Sequence, residues 1–322
     1  MKATEQADRR SAWGLWLRIG LSVVILGILL SRIHLRGVIP DGTAAIAYLV
    51  VGTAVAVVSI ALSAWRWQRV FIAFDLDVRL WTLLRHYFAG QFVGNVLPST
   101  IGGDVLRVSR ATATVGSSEI AFSSVVLERL TGWMALPLLT VIGFALRPSL
   151  LELRPSARLA LLISGIAVVL LGVILYASAH PRLAGRFANH ENWMRFIGAV
   201  HIGIGHLRRP RTRAVGVLGA SVVYQASAMC VLYIVVRMLE LPVPAAAVLA
   251  FGPAVAMLQV VPISFNGLGV REGALVLFLH PLGVTTAQAV ALGLIWYGLL
   301  LLASLLGAPS FAVGHRTKAP ST

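Results

Sequence analysis

Long apolar runs alternate along the chain with short polar ones, and the apolar runs have the length of membrane helices. At about 1.5 Å per residue, about 20 residues cross roughly 30 Å of hydrocarbon. Runs of that size occupy residues 13–31, 44–64, 120–146, 158–177, 214–236 and 284–312, which predicts about six full spans. Two further apolar stretches, 80–106 and 245–281, are cut by Pro, Gly and polar residues, so neither predicts one uninterrupted helix. Residues 181–213 are basic and hold no run of transmembrane length. Within them Leu183, Phe187, Met194, Ile197, Val200, Ile204 and Leu207 recur at three, four or seven residues. That spacing predicts an amphipathic helix in the headgroup layer, its arginines toward anionic lipid. The expected fold class is all-α: a polytopic transmembrane helical bundle forming one membrane domain over 1–322. Its halves are expected at about 44–177 and 214–312, joined by 181–213 as a basic cytoplasmic linker.

The two interrupted stretches resemble each other. In NVLPSTIGGDVLR (95–107) and VVPISFNGLGVRE (260–272), alignment of Pro98 with Pro262 sets Gly102 against Asn266, Gly103 against Gly267 and Arg107 against Arg271 without a gap. Three full spans lie between the copies, an odd number, so the second copy meets the membrane the other way up. The prediction is an inverted repeat of two broken, re-entrant helical hairpins, an arrangement used by transporters. Pro98 and Pro262 remove a backbone donor and forbid a continuous helix, and Gly102, Gly103, Gly267 and Gly269 allow a tight reversal. Backbone freed at that depth has to be buried in protein or wet.

Composition agrees with a membrane protein: 58% of residues are hydrophobic, 12% are charged, and the mean hydropathy is +0.85. A net charge of +15 would suggest nucleic acid for a soluble chain, but its distribution points to orientation instead, and no nucleic-acid partner is expected. With the N-terminus inside and each interrupted stretch entering and leaving on one side, 18 of the 27 Lys and Arg residues fall on the inner face and seven on the outer. Arg18 and Arg129 lie inside spans. This predicts a multi-pass protein of the cell inner membrane with both termini cytoplasmic. Residues 13–31 exceed the apolar core of a secretory signal, so they read as a span. The single cysteine, Cys230, excludes an internal disulfide and reads as a small core residue. No P-loop, Rossmann, metalloprotease or Cys-rich pattern occurs, so neither cofactor nor metal is expected. Asp75 and Asp77 copy a D-x-D spacing, but their surroundings read as a solvated loop. Trp13, Trp16, Trp65, Trp67 and Trp81 gather at span ends and read as interface anchors.

Charges inside the apolar mass mark the candidate site. Glu128 and Arg129 fall in the run 120–146, where each costs roughly 2.5–3.5 kcal/mol on insertion scales. Consecutive helix residues point about 100° apart, so the two need separate partners or a wet cavity. Structural ion pairing and a substrate or proton-relay role both fit. Asp104 precedes Arg107 by three residues at the expected start of a half-helix, where the dipole favours a carboxylate. Arg107 and Arg271 each offer a planar fork suited to a lipid phosphate, although snorkelling to the interface also suits them. Glu272 is expected to hold Arg271, and Asn95 and Asn266 to hydrogen-bond backbone at the breaks.

LPSTIGGDVLR, followed by LERLTGW at 127–133 and VPISFNGLGVREG at 261–273, resembles the lysylphosphatidylglycerol synthase transmembrane region family of flippase-like proteins over about 15–312. The resemblance implies a polytopic domain that, in two-domain members, moves an aminoacylated phospholipid from the inner to the outer leaflet. Those members also carry a soluble aminoacyl-transfer domain, and this chain is expected to be a stand-alone member without it. The resemblance implies translocation of a phospholipid or of a polyprenyl- or hopanoid-type envelope lipid rather than an enzyme. A membrane transferase with a polyprenyl-phosphate or phospholipid donor is the alternative, and an accessory protein of an envelope-lipid pathway the third reading. Expected partners are a lipid substrate with an anionic phosphate headgroup and anionic inner-leaflet lipids, and a homo-oligomer is compatible with the composition.

Overall fold

The computed structural model describes residues 42–96, 102–180, 191–207, 211–260 and 267–312, and every regular element among them is helical. In chain order these are α1 (Thr43–Ala73), α2 (Leu80–Val96), α3 (Gly102–Val115), α4 (Ser118–Leu146), α5 (Arg154–Ala179), α6 (Glu191–Leu207), α7 (Arg211–Met238), α8 (Ala245–Gln259), α9 (Val270–Leu279), α10 (Thr286–Leu305) and α11 (Ala308–Ala312). Five of them, α1, α4, α5, α7 and α10, are long and apolar enough to cross a membrane. The predicted span at 13–31 lies outside the described residues.

Local chemistry sets the boundaries. Gly116 takes φ +77° and closes α3, and Ser117 then caps α4 by accepting the Ile120 N–H at 3.3 Å. Thr285 and Gln288 form a reciprocal capping box at the start of α10. The main apolar core includes Trp67, Phe71, Phe251 and Phe278, and two smaller clusters form around Val126 and Val200 and around Leu136 and Met257. Phe251 stands edge-on to Phe144 and stacks on Phe278 with centroids 5.6 Å apart. Glycines allow close helix approach, as small residues do where no hydrophobic gradient drives association. A Cβ on Gly143 of α4 would meet the Ala250 nitrogen and lie 2.7 Å from the Ala246 oxygen of α8. Outward faces carry exposed apolar residues, such as Leu162, Val169 and Val173 on α5 and Val50 and Val58 on α1, as a lipid-facing belt requires. This is a multi-pass membrane protein.

The interrupted stretches form two helix pairs. α2 and α3 lie antiparallel, with His86 Nε2 3.1 Å from Thr114 Oγ1 and Gly90 against Gly103. α8 and α9 are the second pair, and Gly267 there packs on Gln259.

Several expectations are corrected. The run 284–312 is two helices, because the chain turns at Gly307 where a Cβ would lie 2.6 Å from the Phe88 carbonyl carbon. The short α11 then folds back on α2, and Arg110 donates to its Ser310 and Phe311 carbonyls. Within 181–213 the structure describes α6, whose Ile197 is buried and whose Ala199, Val200 and Ile204 pack with residues of α4 and α5, so this part of the stripe meets protein. Leu183 and Phe187 lie outside the described residues, as do the side chains of Met194 and Leu207. Cys230 is exposed rather than in the core, since it stands on an outward face of α7. Trp67 is fully buried, not an interface anchor, whereas Trp81 is exposed. Arg66, Arg107, Arg110 and Arg271 are buried in the bundle instead of lying in loops, which takes three from the inner tally and one from the outer and leaves the bias in place.

Two predictions follow from packing and from the loop after α1. Gly143→Val is expected to destabilise the detergent-solubilised protein by about 1–3 kcal/mol, since the clash is with backbone that cannot rotate away; a chemical or thermal melt reads it. Asp75, exposed after α1, accepts from Arg213, which also donates to the Ala73 carbonyl at 3.2 Å. That hydrogen bond holds the Asp75 carboxyl below its ordinary range. A carboxylate depressed on folding stabilises above its unfolded pKa, and the benefit fades as pH falls through the folded value. Asp75→Asn should therefore melt slightly below wild type at pH 7, and the gap should close as pH falls below about 4.

Candidate functional site

Four helices meet around Glu128 of α4, and small residues make the room. A Cβ on Gly132 would lie 2.6 Å from Arg66 Nη1, and one on Gly90 would lie 2.7 Å from Arg107 Cγ. The Arg66 guanidinium and the Arg107 methylenes thus occupy volume that side chains on α4 and α2 leave open.

Glu128 is completely buried. Arg66 Nη2 donates to its Oε1 and Arg107 Nη2 to its Oε2, so each carboxylate oxygen faces one guanidinium. The Tyr87 hydroxyl donates to Oε1 at 3.0 Å. Arg107 lies between two aromatic faces, 4.3 Å from Trp67 and 4.1 Å from Tyr87, while Arg66 lies 4.4 Å over Tyr224. Trp67 is held by donating Nε1–H to Ser124 Oγ at 3.0 Å. Desolvating each ion costs several kcal/mol, and the cation–π contacts, about 2 kcal/mol each when dry, help the pairing to offset that cost.

The network continues outward. Arg107 Nη1 donates to Asp104 Oδ1 at 3.3 Å, and Arg129 Nη2 lies 2.9 Å from Oδ1 and 2.8 Å from Oδ2 of the same carboxylate. Exposure rises along this path: the Glu128 side chain is 0% exposed, Arg107 4%, Asp104 25% and Arg129 58%. A sealed end thus leads to an accessible guanidinium on a membrane-spanning helix.

The second hairpin carries its own pair. Glu272 Oε1 accepts from Arg271 Nε at 3.0 Å and Nη2 at 2.6 Å, and its Oε2 accepts the Gly269 N–H at 2.6 Å. Gly269 takes φ +84°, a conformation that favours glycine, at the start of α9. Arg271 lies 4.8 Å from the Tyr297 ring, whose hydroxyl reaches the Asn95 carbonyl at the end of α2 at 3.5 Å. Tyr297 therefore touches both hairpins.

The structure brings Asp104, Arg107, Glu128 and Arg129 into one network and Arg271 with Glu272 into another, with Asn95 at the bridge between hairpins. Gly102 opens α3, Gly103 meets Gly90, and Gly267 takes φ +74°. Pro98, Pro262 and Asn266 lie outside the described residues. Arg66, Trp67, Tyr87 and Tyr224 were not foreseen. A signal for Arg66 existed: the helical pattern of α1 runs on to Ala73, and an intramembrane Glu needs a cation, yet an apolar window stops at the first charge. No group of three His, Cys, Asp or Glu side chains suited to a metal occurs among the described residues.

All of these charges except Arg66 fall within the segments that carry the sequence resemblance, and the profile described as lysylphosphatidylglycerol synthase TM region matches residues 15–307. The chain belongs to that family. No curated protein matches it. This member of the lysylphosphatidylglycerol synthase TM region family is thus a multi-pass membrane protein of a lipid-related family, with its ionic network built from α1, α2, α3 and α4.

In this family member, Glu128→Gln should leave two buried guanidiniums without their counter-ion and destabilise the fold by about 3–5 kcal/mol. Adding Arg66→Met should recover part of the loss, a non-additivity that denaturation of the four proteins of the cycle measures. A Glu128→Gln melt equal to wild type would show that water reaches the cluster.

Proposed function

We propose that this family member moves a lipid with an anionic phosphate headgroup between leaflets, the headgroup passing Arg129 and Asp104 while the tails stay in the bilayer. The observation that carries this reading is Arg129: a guanidinium 58% exposed on a membrane-spanning helix, joined through Asp104 to a sealed ionic network. An intramembrane charge is retained where it meets water, a counter-ion or a substrate, and a planar fork suits phosphate oxygens. In this reading the α2–α3 and α8–α9 pairs are re-entrant hairpins entering from opposite faces, related as halves of an inverted repeat over 44–177 and 214–312. Arg107 and Arg271 are engaged by carboxylates in this conformation and offer their forks in turn as the hairpins move, with Tyr297 linking the two. Exposed Arg69, Arg79 and Arg85, with Trp81 beside them, hold anionic lipid of the inner leaflet. The protein then sits in the inner membrane with cytoplasmic termini.

Purified protein in liposomes containing a fluorescent anionic phospholipid tests the reading. Wild type should redistribute intact lipid, and Arg129→Gln should slow it about tenfold or more, as expected for loss of a charged hydrogen bond worth about 1.5–3 kcal/mol. Unchanged leaflet distribution with wild type, or conversion of the lipid to a new compound, would overturn translocation, the second outcome in favour of a transferase.

A further inference from the structure

Asp104 holds Arg129 in an incomplete way. A carboxylate that meets a guanidinium side-on uses two of its nitrogens, but here both Asp104 oxygens lie on the single nitrogen Nη2. Among the described residues nothing bonds Nε or Nη1 of Arg129, and more than half of this side chain is accessible. The second contact of Asp104, to Arg107, is long at 3.3 Å. Charge is also unbalanced: three guanidiniums, Arg66, Arg107 and Arg129, share two carboxylates, Glu128 and Asp104, so one positive charge is left over. Glu128 already serves Arg66 and Arg107 at the sealed end, so the surplus lies at the open end.

We propose that Asp104 is a tethered counter-anion, which the phosphate of an arriving lipid displaces from Arg129 and which displaces that phosphate again on release. This rests on the translocation reading. A phosphate gains two parallel bonds on the free edge of Arg129 where the carboxylate has one nitrogen. The displaced carboxylate keeps a favourable place, since Asp104 lies in the first turn of α3 at the positive end of the helix dipole. A translocation site has to bind well enough to load and weakly enough to unload, and an internal competitor on a short arm provides both. It also selects: a headgroup without an anion has nothing to exchange for the carboxylate. Asp104 is a specificity-determining residue in this scheme, and Arg129 is the residue that touches the phosphate.

The test separates binding from transport. Purified wild type, Asp104→Asn and Arg129→Gln are titrated by calorimetry with dihexanoyl phosphatidic acid and, in parallel, with inorganic phosphate, and the same proteins are assayed in liposomes. Removing the competitor should tighten Asp104→Asn binding about tenfold or more and slow its translocation, because release becomes limiting. Arg129→Gln should abolish binding. Asp104→Ser, smaller and at home in a first helical turn, is the second variant should the amide fail to fold, and it should behave the same way. Binding by both Asp104 variants no tighter than wild type overturns the exchange, even where wild type transports lipid. Tightened binding without wild-type transport keeps the exchange and overturns translocation. Binding of inorganic phosphate in preference to the lipid overturns the headgroup assignment.

Discussion

One carboxylate in the membrane interior governs the arrangement of the helices around it. Glu128 has no exposure, and an ionised carboxylate there is tolerable only with cations on both oxygens. Arg66 and Arg107 supply them from helices 62 and 21 residues away in sequence, and Tyr87 adds a hydroxyl. Satisfying this group fixes α1, α2 and α3 against α4 in one register. The network adds little net stability relative to a well-packed apolar core, but misalignment leaves a charge stranded, so its effect is on specificity.

Room for those cations comes from absent side chains. Gly90 and Gly132 lie where a Cβ would strike Arg107 and Arg66, and Gly103 lets α3 approach the Gly90 backbone. The same small residues that bring helices together in lipid here also create the space in which guanidiniums stack on Trp67, Tyr87 and Tyr224. On α3, Asp104 and Arg107 both face α4, where they meet Arg129 and Glu128.

The two hairpins solve a similar electrostatic problem differently. On the first, Arg107 finds its main counter-ion on another helix, and the network opens at Arg129. On the second, Arg271 is closed by the adjacent Glu272, which also caps its own helix. One ionic cluster thus reaches an accessible end and the other is self-contained, with Tyr297 in contact with both hairpins through Arg271 and Asn95.

Hydropathy by itself determined that this is a polytopic helical membrane protein, because transfer of side chains into hydrocarbon is a local property that adds up along a run. The Pro-Gly interruptions were legible for the same reason: proline and glycine act on their own backbone. Helical geometry also settled that adjacent Glu128 and Arg129 face different ways. Tertiary structure alone decided which partners they meet. Arg66 and Trp67 look like the polar end of a span, Cys230 like core, and the stripe of α6 like a lipid contact, although the first two are buried, the third is exposed and Ala199, Val200 and Ile204 of α6 pack on protein. Each of those outcomes depends on which helix lies alongside. In hydrocarbon that is set by shape and by the pairing of distant charges, neither of which a hydrophobic pattern encodes.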